Sequence, residues 1–340
     1  MKTLVSRRGL LAALVASACA LPAPRAPRAA DAGTITVYNA QHESLARAWA
    51  DAFTKETGIR VVLREGKDME FANQILQEGK ASPADVFITE NAPAMALVDA
   101  AGLFAPLPKE TLDLAPPEFR PADGSWIGVA ARATVFAYNR KKLKEADLPK
   151  SAMDLEDPSW KGRWAAAPAG ADFQAIVAAM LQLKGEAATL AWLKAMKAGV
   201  VPFRSNSLAM RAVNRGEVDG ALIYHYYFFG DQARTGENSN SVDLRYFGHG
   251  DPGAFVSLSG AGVLAASKNK PQAQAFVRWL AGPGGQKILR EGNSFEYAVG
   301  RGEASHPQLV PLDEIDAPKI SPDKLDSAKV ADLMTRAGLL

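Results

Sequence analysis

Cysteine is nearly absent from this chain of 340 residues: the one copy, Cys19, falls in the N-terminal leader. Beyond the leader there is thus no disulfide, no thiolate nucleophile and no cysteine metal site to consider. Histidine is scarce as well, with four copies. Neither an H-E-x-x-H motif nor a G-x-S-x-G motif occurs, which removes two common hydrolase signatures. After the leader no apolar run approaches the ~18 residues of a membrane-spanning helix. Internal repeats are lacking too. Even the positive charge is only apparent. Of 39 Lys and Arg and 37 Asp and Glu, residues 1–32 hold five basic and one acidic, so the remainder carries 34 basic and 36 acidic groups, a net charge of −2. That balance leaves no electrostatic footprint for nucleic acid.

The leader itself is informative. MKTLVSRRGLLAALVASACA runs from a basic start through a short apolar stretch to small residues, the order of an export signal. Arg7 and Arg8 together fit the twin-arginine type, with a general secretory signal as the alternative. Ala30-Asp31-Ala32 offers cleavage before Gly33. Lipidation at Cys19 is the rival outcome, although Ala16 stands where a lipidation box prefers leucine. Either way the working protein is expected outside the inner membrane, in the periplasm.

The remaining chain alternates strand and helix patterns. TITVYNA (34–40), IRVVLRE (59–65) and ADVFITE (84–90) read as strands; SLARAWADAFTKETG (44–58), FANQILQEGK (71–80) and APAMALVDAAGLF (92–104) read as helices. This alternation predicts parallel βαβ units. A Pro-rich surface connection (106–126) leads to GVAARATVFAYN (128–139), long enough to cross between two lobes. Further helices are expected at 171–184, 186–198 and 207–215, then a strand at 219–224 and a polar loop over 231–243. Strand character returns over 251–267, two helices broken at GPGG fill 271–292, and a helix near 322–338 ends the chain. The class is α/β with two lobes. Ligands in such folds sit in the cleft beyond the C-terminal ends of strands.

That rule singles out three places. His42 follows the first strand, Glu90 ends the third, and Tyr224, His225, Tyr226 and Tyr227 close the strand DGALIY. Each has an ordinary explanation: a loop histidine, a carboxylate at a helix N-terminus, an aromatic cluster running into Phe228 and Phe229. As a set they make an anionic site of oxygen donors with one imidazole, which suits a hard cation. A phenol with a pKa of about 10 ionises at neutral pH only beside a cation of high charge density. Ferric iron meets that need, and two phenolates with one carboxylate neutralise its three charges. Adjacent phenols can face one metal only if the strand ends by Tyr224 or His225 and a turn or helix begins there.

These segments resemble a known family, the periplasmic ferric-ion-binding proteins of bacterial ABC iron importers. TITVYNAQHE, ETGIRVVL, PADVFITEN, NRGEVDGALIYHYYFF, DPGAFVSLSGAGVL and SKNKPQAQAFVRWLAGPGGQKIL follow in family order over nearly all of the chain past the leader. The resemblance implies an α/β, two-lobed periplasmic binding protein fold of type II, with mixed sheets flanked by helices and two crossing hinge strands near 128–139 and 251–260. The lobes would be 33–133 plus 258–307 and 134–257 plus 308–340, after an export signal at 1–32. It also implies Fe(3+) ligands at His42, Glu90, Tyr226 and Tyr227. A synergistic anion (carbonate, phosphate or citrate) would rest on the N–H groups of Gly170 and Ala171, with Asn206 and Arg132 beside it. Ala169 and Tyr224 stand where phosphate-using relatives carry serine and asparagine. This points to carbonate or a citrate-like anion, or to Tyr224 as an extra ligand or pocket wall. The implied partner is an ABC permease of the inner membrane, supplied with free or chelated ferric iron by a monomer that is not an enzyme. The other reading is a binder of the same fold for a polyamine or thiamine, with Tyr224, Tyr226, Tyr227 and Trp126 stacking on the organic cation.

Overall fold

The computed structural model describes residues 33–340. The export signal, Ala30-Asp31-Ala32 and Cys19 lie outside the described residues. The chain opens with β1 (Thr34–Asn39), α1 (Glu43–Thr57), β2 (Arg60–Glu65), α2 (Asp68–Glu78), β3 (Val86–Ile88) and α3 (Ala92–Ala100). After the short α4 (Lys109–Leu112) come β4 (Ile127–Asn139), β5 (Trp164–Ala166), α5 (Ala171–Gly199), β6 (Val201–Pro202), α6 (Asn206–Arg215), β7 (Gly220–Tyr224), α7 (Tyr226–Arg234) and β8 (Val242–Arg245). The sequence closes with β9 (Val256–Val263), α8 (Lys270–Ala281), α9 (Pro283–Glu291) and α10 (Ser327–Arg336).

Helix α1 illustrates how the sequence sets these limits. Leu45, Ala46, Trp49, Ala50 and Phe53 recur on one face and are buried. Glu43 in its first turn and Lys55 in its last complement the helix dipole. Gly58, at φ 77°, ends it and donates its N–H to Thr54 O. The two helices expected over 171–198 are α5, interrupted at Gly185, whose φ of 78° is free of strain only for glycine. By length and composition α5 would also suit a membrane. Here Phe173, Ile176, Met180, Trp192 and Met196 bury its apolar side within the protein.

The strands form two sheets that share β4. In the first the order is β2-β1-β3-β9-β4; β1 is parallel to both neighbours and β9 antiparallel to β3 and β4. In the second, Thr134–Asn139 of β4 pairs with β7 on one side and β8 on the other, and β5 and β6 continue in parallel from β7. The switch between sheets falls at Ala133 and Thr134. There Ala133 still pairs with Val256 of β9, and the Thr134 N–H donates to Phe255 O. The second crossing is the segment Asp251–Phe255 that feeds β9. Twelve of the thirteen β4 residues are buried, as a strand covered on both faces requires. Gly220 of β7 marks a close approach: a Cβ there would lie 2.1 Å from the Phe136 ring.

Some boundaries differ from the sequence pattern. The polar stretch 231–243 is not all loop, since α7 runs to Arg234 and β8 starts at Val242. VDLR presents only Val242 to the core, so no alternation announces that strand. The connection 106–126 is not wholly superficial either. Its last residue, Trp126, is fully buried with Trp49, Trp164 and Trp192. Burying each stabilises the fold by at least the ~1.5–3 kcal/mol of a large aliphatic side chain.

Candidate metal centre

Four strand ends converge between the two sheets. Past β1 the chain turns at Ala40–His42, and His42 occupies the N-cap of α1. Gln41 holds that turn, its Oε1 accepting the His42 N–H at 2.7 Å. Past β3, buried Asp68 at the start of α2 accepts the N–H groups of Glu90 (2.7 Å) and Asn91 (3.0 Å). This grip fixes the loop that carries the Glu90 side chain. Past β7 the strand stops at Tyr224, His225 is already helical (φ −57°, ψ −36°), and α7 starts at Tyr226. The change of period turns both phenols to one side, with ring centroids 4.3 Å apart. Past β5, Asp172 projects from the first turn of α5.

The side chains meet as follows. His42 Nε2 lies 3.4 Å from Glu90 Oε1. The Tyr226 hydroxyl donates to the same Glu90 oxygen at 3.1 Å and lies 3.5 Å from Asp172 Oδ2. The Tyr227 hydroxyl donates to Asp172 Oδ2 at 3.0 Å. Asn206 Nδ2 reaches that oxygen at 2.8 Å, and Asn91 Nδ2 donates to Asp172 Oδ1 at 3.1 Å. All four residues named for iron in the sequence are therefore neighbours, and the two tyrosines also meet a carboxylate, Asp172, that was not among them.

The expected anion contacts are placed differently. Gly170 donates its N–H to Ala167 O at 2.9 Å, closing a turn instead of facing the cleft. Ala171, beside it, opens α5. Asn206 does face a carboxylate, but it is that of Asp172. Arg132 is fully buried and committed to protein groups: Glu296 Oε2 at 2.9 Å, Gln41 Oε1 at 2.9 Å and the Glu90 carbonyl. Tyr224 is a wall. Its hydroxyl donates to Asn91 Oδ1 at 3.1 Å, which also accepts from Ser257 at 2.8 Å. His225 points away into the hinge, where Nδ1 accepts the Ala133 N–H at 3.2 Å. Burial pushes its pKa down to about 4, so it stays neutral.

Asp172 obeyed the strand-end rule, in PAGADFQ directly after β5, and so had a signal. Glu296 had none, because it lies in an irregular segment far along the chain and meets His42 Nδ1 at 3.1 Å.

Electrostatics bear on what the cluster can hold. Burial, and then the charge of Asp172, push Glu90 up to about 8, against the opposing pull of Arg132 and His42. Burial and the same carboxylates raise both Tyr226 and Tyr227 well above an ordinary phenol. Acidic groups this close cannot all ionise without a cation. Among the described residues no three His, Cys, Asp or Glu side chains make a metal cluster by themselves; here two phenols stand beside the carboxylates and His42. Its donors are four oxygens and one imidazole nitrogen, the preference of a hard, highly charged ion. A separate surface cavity of about 670 Å³, lined by Phe53, Pro108, Leu114 and Trp279, has no part in it.

The family described as bacterial extracellular solute-binding protein matches residues 81–323. The chain is 60% identical over 340 residues to an Fe(3+)-binding periplasmic protein of Serratia marcescens, covering 100% of each. It is 40% identical over 342 residues to a major ferric iron-binding protein of Neisseria meningitidis serogroup B, again covering 100% of each. The crystal structure of iron-bound HitA from Pseudomonas aeruginosa superposes with a TM-score of 0.85 at 44% identity, over 90% of this chain and 99% of that one.

Proposed function

The chain belongs to the bacterial extracellular solute-binding proteins, and we propose that it captures ferric iron between its lobes for delivery to an ABC importer. The observation that carries this reading is the run of contacts across the cleft from His42 Nε2 to Glu90 Oε1, from there to the Tyr226 hydroxyl, and from both phenols to Asp172 Oδ2. Oxygens about 2.0–2.1 Å from a small octahedral cation lie ~2.9 Å apart. The separations of 3.0–3.4 Å between these donors approach that spacing.

The lobes follow the proposed division, 33–133 with 258–307 and 134–257 with 308–340. The sheet switch at Ala133 and Thr134 supports it, as does the packing of α10 on α5. His42 and Glu90 come from the first lobe, Tyr226, Tyr227 and Asp172 from the second. Iron bridging the lobes favours the closed state through its differential affinity. Ligands must lose protons to bind, so affinity falls as pH falls, and reprotonation of the phenols aids release. An organic cation suits the site less well. Trp126 is sealed in the core, and the hydroxyls of Tyr226 and Tyr227 face carboxylates.

Asp172 also bears on the anion. With Glu90 and two phenolates it gives four negative ligands for three positive charges, and it occupies the donors Asn91 and Asn206. The protein supplies from its own chain what a synergistic carbonate, phosphate or citrate would add. The iron-loaded protein is therefore expected to keep its colour after dialysis into buffer free of those anions. Asp172→Asn should bleach there and recover with bicarbonate. Bleaching of the wild type on anion removal would return a synergistic anion to the site.

The test of the whole reading is the visible spectrum after adding ferric citrate. Tyrosinate-to-iron charge transfer should colour the protein red to orange; a protein that stays colourless and retains no iron overturns it.

A further inference from the structure

Glu296 is a buried carboxylate that the iron ligand set does not use. It lies past α9, in a segment anchored to β4 by the pairing of Tyr297 with Ala131. Its two oxygens have separate tasks. Oε2 accepts from Arg132 Nη2 at 2.9 Å and from Gln41 Nε2 at 3.1 Å. Oε1 meets His42 Nδ1 at 3.1 Å. Gln41 is itself locked, donating to Ser259 Oγ at 2.8 Å and accepting from both Arg132 and the His42 backbone. His42 is thus held at its main chain by Gln41 and at its ring by Glu296.

We propose that Glu296 is a positioning residue for His42: it selects the tautomer with hydrogen on Nδ1 and aims the free Nε2 lone pair at the metal. The logic is one of donors and acceptors. The Arg132 guanidinium, 2.9 Å from Oε2 and fully buried with it, keeps Glu296 ionised, so both its oxygens accept. The hydrogen between Oε1 and Nδ1 must then come from the imidazole. With Nδ1 protonated, neutral His42 leaves Nε2 unprotonated, on the side facing Glu90 Oε1. Ring orientation and tautomer are set before any iron arrives, the outer-partner arrangement that raises metal affinity.

Glutamine at 296 makes a sharp test. Arg132 and Gln41 would claim the amide oxygen, which turns the NH2 group toward His42 Nδ1. That nitrogen must then accept, the hydrogen moves to Nε2, and the ligand lone pair is lost. This inference rests on His42 being an iron ligand, so the first measurement avoids iron. Long-range 1H–15N spectra of iron-free protein, above the imidazole pKa, resolve the four histidines, and His42→Gln assigns the His42 signals. The wild type should show the Nδ1–H pattern and Glu296→Gln the Nε2–H pattern, with Glu296→Asp keeping the wild-type pattern. Iron retention against a competing chelator is the second readout. Glu296→Gln should lose about 10- to 100-fold, and adding it to His42→Gln should cost nothing more. An Nε2–H His42 in the wild type, or additive losses in the double variant, overturns the proposal. That spectrum needs no variant at 296, so a poorly folding Glu296→Gln does not shield it. Unchanged retention in His42→Gln would instead remove His42 from the ligands.

Discussion

Phenylalanine at both Tyr226 and Tyr227 is expected to leave a folded protein that stays colourless with ferric salts. The two hydroxyls are the only atoms removed. The Tyr226 ring would still lie beside His42, 5.0 Å between centroids, and against the Tyr227 ring. Folding loses the hydrogen bonds to Glu90 and Asp172, each worth about 0.5–1.5 kcal/mol. Iron loses two anionic ligands and the source of its charge-transfer band. The fall in iron retention should exceed the ~10- to 100-fold typical of a lost outer-shell partner. Each single variant should keep a weaker, shifted band. Persistence of the full band in the double variant would move the phenolate ligands elsewhere.

The second large effect is one of stability, in the iron-free protein. Glu90 binds its proton more tightly folded, at about 8, than unfolded, near the ordinary carboxylate value of 4.5. A raised acid pKa weakens the fold as pH climbs from 4.5, and the full penalty is present above 8. Below 4.5 both states are protonated and the penalty vanishes. Glu90→Gln removes the charge and keeps an acceptor for Tyr226. Each tenfold change in proton affinity corresponds to ~1.4 kcal/mol, and water reaching the partly exposed carboxylate screens some of that cost. The substitution should therefore stabilise iron-free protein by on the order of 2–3 kcal/mol above pH 8. Near pH 4 it should do little. Thermal melts of the two proteins across this range decide the matter, and a pH-independent difference refutes it. Iron should reverse the order, since the carboxylate it needs is gone. A site that destabilises its own empty form is the expected mark of function held against stability.

How much of this was legible in the sequence depended on where each residue falls. His42, Glu90 and the tyrosine pair lie where strands end, and a βαβ pattern makes strand ends readable. The helical start at Tyr226 followed from steric need alone, because neighbouring residues of a strand face opposite ways. Asp172 sat under the same rule, yet β5 has only three residues, and the family resemblance drew the reading of the stretch after it to backbone N–H groups for an anion. Glu296 was out of reach. Its partner His42 is 254 positions away, and no periodicity marks the irregular segment that delivers it. Arg132 shows the same limit: an arginine in a buried strand is visible, but which carboxylate claims it is a tertiary fact.

The sheet switch within β4 has a mechanical consequence. At Ala133 and Thr134 the two sheets are joined by a ribbon of backbone hydrogen bonds, and His225 accepts the Ala133 N–H from the side. Such a ribbon is soft in torsion and stiff in tension. The side-chain bonds across the cleft are Tyr226 to Glu90, Tyr224 to Asn91 and Asn91 to Asp172, and α3 also packs on the segment Pro322–Lys324. At about 0.5–1.5 kcal/mol each, these bonds are the light part of what joins the lobes, beside apolar packing that belongs to one buried cluster.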